Sequence, residues 1–191
     1  DNNGYIDDYN GWNIQQNNDN IGMSPSGHGT SVSGMIGAKG NNSTGVAGAN
    51  WDIKIMAVAG YSLQEAAIIE AYSYPLIMRQ LYNDTNGSQG AFVVATNASW
   101  GLDGGNPEDA PIWCGFYDTL GEAGILNCGA TSNSNVNVDV EGDLPTACAS
   151  PYMIGVGRSD HNDNFAGGYG KNTVDLVSPG INVRTTAENN G

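Results

Sequence analysis

Apolar positions in this chain come in short blocks, set apart by stretches rich in Asn, Asp and Gly, and the spacing inside each block separates helix from strand. In 28–38, Val32, Met35 and Ile36 recur at the i, i+3, i+4 spacing of one helical face, which predicts a helix that buries that face. Ser33, Gly34 and Gly37 would let it pack closely, and the turn-rich stretch 39–45 ends it. The run 53–59 predicts a strand. The stretch 62–84 predicts a long helix with Leu63, Ala67, Ile68, Ala71, Ile77, Met78 and Leu81 inward, kinked or interrupted at Pro75. A strand over 91–96 and a helix over 111–123 with Pro111 in its first turn come next, then strands over 124–130, 152–157 and 173–177. The first 20 residues read as a polar loop anchored by Tyr5, Ile6, Tyr9 and Trp12. Strands that alternate with helices argue for an α/β fold, a mostly parallel sheet covered on both faces in three layers.

Composition narrows the class. The 191 residues are one domain's worth and, at 39% hydrophobic, can bury a sizeable core. Twenty acidic against six basic residues give a net charge of −14, which argues against nucleic acid or an anionic membrane as partner. The acid instead fits solubility, salt tolerance and cation binding. No apolar run approaches the roughly 20 residues of a membrane span. The chain opens on a polar loop rather than a signal peptide, so it is expected to be mature or cut. Of three cysteines, Cys128 lies in an apolar run and reads as a small core residue. Cys114 on a predicted helix and Cys148 in a loop are the better disulfide candidates, which would fit a secreted protein. The spacings contain no Cys-x-x-Cys, which disfavours a cysteine metal site.

Three stretches carry candidate chemistry. His28, one of two histidines, would sit at a helix start, and histidine is a residue type that serves as general acid and base. Asp1, Asn3, Asp7 and Asp8 around Gly4 put oxygen ligands into a short turn, as calcium requires; an ordinary Asx-turn loop is the equal alternative. His161, between Asp160 and Asp163, reads as an exposed loop residue with metal binding as the lesser option. Gly155-x-Gly157 after a strand hints at nucleotide binding, but no third glycine opens a helix at the required spacing.

The stretch Ser26-Gly27-His28-Gly29-Thr30-Ser31-Val32-Ser33-Gly34 resembles the histidine motif of subtilisin-like serine proteases, with Ser31 where a second, non-catalytic histidine usually stands. Four further blocks resemble the family in its own order: Asn97 to Gly101, Gly124 to Asn133, Tyr152 to Gly157 and Val174 to Gly180. The resemblance covers nearly the whole chain and implies a subtilisin-like doubly wound fold. It implies His28 as general base and Asn133 as oxyanion donor, with Ser132 where the family has Gly. It also implies Ser99, Trp100 and Gly101 as the strand that binds a polypeptide substrate, and Ala130, Thr131 and Ser132 as a pocket wall. By resemblance to the family's calcium loop, Asn42 would bind through its side chain and Thr44 and Val46 through their carbonyls. The Asp-rich 1–20 segment, with Asp1, Asn3 and Asp8, is similar to an insertion many subtilases carry.

What the resemblance implies is a secreted endopeptidase that hydrolyses peptide bonds by Ser/His/Asp acyl-enzyme chemistry. Neither the family's aspartate motif nor its Gly-Thr-Ser-Met-Ala serine motif occurs here, and Gly29-Thr30-Ser31 lacks the continuation that would make Ser31 a nucleophile. Residues 1–191 are therefore expected to be the central part of one catalytic domain, inactive alone, with the missing N- and C-terminal segments as partners. The alternative is a pseudo-protease that binds peptides or serves as an accessory module.

Overall fold

The computed structural model describes residues 3–22, 27–60 and 62–187. They fall into two compact units, one of residues 6–60 with 182–191 and one of 1–5 with 61–181. Asp1 and Ser26 lie outside the described residues.

In the first unit, β1 (Trp12–Asn13) pairs in parallel with β2 (Val58–Ala59), Trp12 opposite Val58. Gly11, at φ +121°, precedes β1 because any Cβ there would overlap the carbonyl of Ala57. Asn13 is buried and organises its loop: its amide donates to the Asn20 carbonyl at 2.8 Å and its Oδ1 accepts from the Gln15 and Gln16 N–H groups at 3.0 Å each. Of the expected anchors Trp12 is buried, whereas Ile6 and Tyr9 are 80% and 96% exposed. The strand expected over 53–59 shortens to its last two residues, and Ile53 and Ile55 are exposed.

Helix α1 (His28–Gly37) forms where expected but buries a different face. Met35 is 40% exposed, Val32 and Ile36 are half-buried, and Gly34 is the buried residue. The reason is close backbone approach: Thr185 and Thr186 donate their hydroxyls to the carbonyls of Ser31 and Thr30 at 2.6 Å each, and a Cβ on Gly34 would overlap the Thr186 side chain. Ser31 returns its hydroxyl to the Thr186 carbonyl at 3.2 Å.

The second unit starts with α2 (Glu65–Asp84), three residues later than 62 and continuous through Pro75. An interior proline costs about 3 kcal/mol through its lost hydrogen bond. Burial of Ile68, Tyr72, Tyr74, Pro75, Leu76 and Met78 offsets it. The tyrosines point inward where aliphatic residues were expected: Leu63 is exposed, and Ala67, Ala71, Ile77 and Leu81 are only half-buried.

Strands β3 (Ala95–Ala98), β5 (Leu126–Ala130), β7 (Met153–Ser159) and β8 (Leu176–Pro179) follow, in a parallel sheet of order β3-β5-β7-β8. Two-residue strands β4 (Leu102–Asp103) and β6 (Asp143–Leu144) pair antiparallel beside it. Each sheet strand lies up to four residues from its expected span, because a ladder begins where a partner exists. Phe92 and Val94 stay outside it, exposed, with the Arg79 guanidinium over the Phe92 ring at 4.2 Å and bonded to the Val93 carbonyl.

Helix α3 (Pro111–Glu122) matches its expected span to within one residue. Its N-terminus is satisfied by Glu65, whose carboxylate accepts the Trp113 N–H at 2.7 Å. Trp113, Tyr117 and Leu120 pack with Ile68, Tyr72, Ile125, Leu144 and Met153 into the core. A buried chain of donors runs from Trp113 Nε1 to the Tyr117 hydroxyl at 2.8 Å and on to Tyr72 at 3.0 Å. Cys114 and Cys148 are disulfide-bonded, tying α3 to the loop after β6, and Cys128 is a half-buried thiol. Between β5 and Ser150 lie α4 (Val138–Glu141) and β6. Among the described residues no helix is long and apolar enough to cross a membrane.

Candidate active site

Parallel register decides what meets at the strand ends. Asn97 lies opposite Cys128 and Ala98 opposite Gly129, so Ser99–Gly101 and the segment from Ala130 to Asn133 leave adjacent strands at the same carboxyl edge. Such an edge of a parallel sheet is where α/β folds place ligands. The Thr96 hydroxyl bonds Asn127 Oδ1 at 2.7 Å and locks the two strands just below. Trp100 stacks on Trp113, ring centroids 5.8 Å apart, so the core orients the first segment. Gly101 is required where it stands, since a Cβ would overlap the carbonyl of Leu144.

The second segment is fixed residue by residue. Thr131 donates its N–H to Val156 at 3.0 Å and its hydroxyl to Gly168 at 3.3 Å, while Gly168 donates back to the Ser132 carbonyl at 2.7 Å. Ser132 is buried; its hydroxyl accepts the Ser134 N–H at 3.0 Å, and its own N–H donates to Asp143 Oδ2 at 3.3 Å. Arg158 grips the next peptide, donating to the Asn133 carbonyl at 3.1 Å and to the Ala166 carbonyl at 3.0 Å. Asn133 itself is exposed, its backbone anchored and its side-chain amide carrying two donor hydrogens. Asp143 is 1% exposed, and burial, reinforced by Asp103 across the β4–β6 ladder, holds its carboxyl above the ordinary value against the Thr146 and Ser132 bonds.

His28 is the first residue of α1, exposed, behind Gly27 at φ +61°. It belongs to the 6–60 unit, whereas Ser99–Gly101 and Ala130–Asn133 belong to the 61–181 unit. Ser31 spends its hydroxyl on the Thr186 carbonyl.

The cation candidates are placed as follows. Asn42, Thr44 and Val46 lie in a loop where Asn41, Ser43 and Gly45 all have positive φ, at 56°, 58° and 61°. Asn42 Oδ1 accepts the Thr44 N–H at 3.0 Å. These amide, hydroxyl and carbonyl oxygens are of the kind calcium takes, and they carry no charge. Asn3 is buried, its Oδ1 accepting from Tyr5 at 2.8 Å and its amide directed at Met78 Sδ at 3.8 Å. Asp8 is half-buried and its carbonyl accepts from Gly11 at 3.2 Å. Among the described residues no group of three or more His, Cys, Asp or Glu could hold a metal ion. His161 is exposed, as expected, and Asp160 spends its carboxylate on Asn162 and Asn164.

Sequence reasoning missed Asp143, Thr146 and Arg158. The only signal was an acid set between Gly142 and the apolar pair Leu144-Pro145, with no periodicity to mark a two-residue strand.

Comparison with known proteins adds a second line. The sequence model of the subtilase family, peptidase S8, matches residues 1–191. Subtilisin-like protease 1 of Plasmodium falciparum (isolate 3D7) is 26% identical over 214 residues, covering all of this chain and 28% of that protein. Among solved structures, the S41 psychrophilic protease superposes with a TM-score of 0.66 at 20% identity over 88% of this chain and 57% of its own. Sphericase gives 0.60 at 19% identity over 85% and 55%. The epidermin leader peptide processing serine protease of Staphylococcus aureus gives 0.58 at 18% over 83% and 40%. The chain thus spans 28% of its curated relative's length and 40–57% of these structures. The parallel α/β sheet is subtilisin-like, and with the family's pattern matched along its entire length the chain belongs to the subtilases.

Proposed function

We propose that this chain is part of a secreted serine endopeptidase that cleaves peptide bonds in proteins by acyl transfer. The observation that carries the reading is the shared carboxyl edge of β3 and β5, where Ser99–Gly101 and Ala130–Asn133 emerge from adjacent, in-register strands. In this reading an extended substrate pairs its backbone with Ser99–Gly101, which gives affinity with little sequence preference. Ala130, Thr131 and Ser132 wall the pocket for the side chain before the scissile bond. The Asn133 amide donates to the oxygen that gains charge as the carbonyl turns tetrahedral; loss of one such donor typically costs about 10²–10³ in turnover. His28 takes the proton from the nucleophile and returns it to the leaving amine. The nucleophilic serine and the aspartate that orients His28 would come from segments flanking residues 1–191, so this piece alone would bind substrate without turning it over. The Cys114–Cys148 bond supports an oxidising, extracellular setting. Calcium, where bound, would stiffen the loop through Asn42 Oδ1 and the Thr44 and Val46 carbonyls.

The test is labelling by a fluorophosphonate, a probe of activated serine, read by intact mass. The 191-residue chain should take no adduct. A longer protein containing it should take one per molecule, and His28→Ala should abolish that. A longer protein that stays unlabelled would overturn the hydrolase reading in favour of a peptide-binding pseudo-protease.

A further inference from the structure

Asp143 is a buried acid for which the fold alone supplies no reason. It stands directly opposite Asp103 in the β4–β6 ladder, a like-charge cross-strand pair that works against the sheet. Neither carboxylate is paired with a Lys, Arg or His among the described residues. Taking a carboxylate out of water without a cation is costly. In return Oδ2 makes two bonds, one from the Thr146 hydroxyl at 2.5 Å and one from the Ser132 N–H at 3.3 Å. A neutral acceptor would satisfy that single N–H, but a charge-assisted bond is roughly twice as strong. What the charge adds is rigidity at Ser132. The adjoining peptide carries the exposed amide of Asn133, and Arg158 of β7 holds the carbonyl on its far side.

We infer that Asp143 is a positioning residue for Asn133: its ionised carboxylate holds the Ser132 N–H and, with Arg158 opposite, sets where the Asn133 side-chain amide stands. The inference rests on the reading of Asn133 as oxyanion donor. It adds regulation to that site. Protonation of Asp143 removes the charge that strengthens the Ser132 bond, so the Asn133 amide is held less firmly as the carboxyl takes up a proton. Burial moves that event to higher pH than for an ordinary carboxylate, and Asp103, the acid facing it from β4, pushes in the same direction. Arg158 is the other charged group bearing on the segment, through its bond to the Asn133 carbonyl.

The experiment is a pH titration of the isotopically labelled chain by NMR, with three reporters: the Asp143 carboxyl carbon, the Ser132 backbone amide and the Asn133 side-chain amide. All three should move together with one midpoint above the ordinary aspartate value. Asp143→Asn should abolish the shared titration at Ser132 and Asn133. Thr146→Val, which removes a bond to the ionised form while leaving the acid in place, should raise the midpoint at all three reporters. In the longer, active protein Asp143→Asn should lower kcat about tenfold with KM unchanged, less than the 10²–10³ that follows loss of the donor itself. An Asn133 amide that stays still while Asp143 and Ser132 titrate would make Asp143 a merely structural acid and overturn the inference. That outcome is separate from failure of the hydrolase reading, which appears as an unlabelled longer protein whether or not the three signals move together.

Discussion

Within residues 61–181, α3 buries Trp113, Tyr117 and Leu120 almost completely, and a four-stranded sheet ends beside it. Within residues 6–60, α1 buries only Gly34, and the sheet is two strands of two residues each. One helix is held by large apolar side chains, the other by threonine hydroxyls that reach its backbone carbonyls. The proposed substrate edge and oxyanion donor stand on the first kind of support, and the proposed base on the second. Elements with few buried apolar contacts open locally at lower free energy than the core. Placement of His28 should therefore be the more easily disturbed half of the machinery.

The contrast is tested most severely by Trp113→Ala. Removal of a fully buried indole that also anchors Trp100 and the Tyr117 hydroxyl should cost about 3–5 kcal/mol. Met35→Ala on exposed α1 should stay within about 0.5 kcal/mol. Denaturant midpoints compare the two, and equal losses would break the distinction. Next in size is the disulfide. Cys114→Ser with Cys148→Ser opens a link across a sequence separation of 34 and should cost about 2–4 kcal/mol, read from the same midpoints with and without reductant.

The same contrast explains what could be read from the sequence. Helix 111–122 was legible because Pro111 marks its start and bulky residues mark its face. The Cys114–Cys148 pairing was legible because Cys128 sits in an apolar run. Periodicity failed on α1, where glycine and serine rather than Val32 and Met35 make the contact, since close backbone approach leaves no hydrophobic stripe to count. It failed again on the strand over 91–96, where apolar residues mark a strand only as far as a neighbour completes the ladder. His28, Ser99–Gly101 and Asn133 came from resemblance, while the buttress of Asp143, Thr146 and Arg158 joins residues far apart in the chain and left no local mark.

A smaller effect sharpens the account of α1. Gly34→Ala places a methyl group against the Thr185 and Thr186 side chains and should cost about 1–3 kcal/mol by overpacking. Gly29→Ala, in the same helix but facing open space, should instead gain about 0.5–1 kcal/mol from reduced chain entropy. Opposite signs, measured by hydrogen exchange of α1 amides, are the expected result. A matching gain at Gly34 would mean that the 182–187 segment does not bear on the helix.

The smallest effect separates two acids inside the 61–181 unit. Asp139 is exposed, and bonds from Thr173, then from the Asn172 and Thr173 N–H groups, hold its carboxyl below the ordinary value. Its folded-state pKa lies under the unfolded one, so its stabilisation is full above the ordinary aspartate value and is lost as pH falls through the folded value. Asp143 runs the other way. Burial raises its folded pKa, so the native state favours the proton, and stability declines as pH rises from the ordinary value through the folded one. In the intact protein the two slopes have opposite signs, a rise up to the ordinary value from Asp139 and a fall above it from Asp143. Asp139→Asn should flatten part of the rise below the ordinary value, the rest coming from Asp160, whose carboxyl is also held low by Asn164 and Asn162, and Asp143→Asn should remove the fall above it. Amide exchange at Asn172 and Thr173 should follow the first residue and exchange at Ser132 the second, because those are the N–H groups each carboxylate holds.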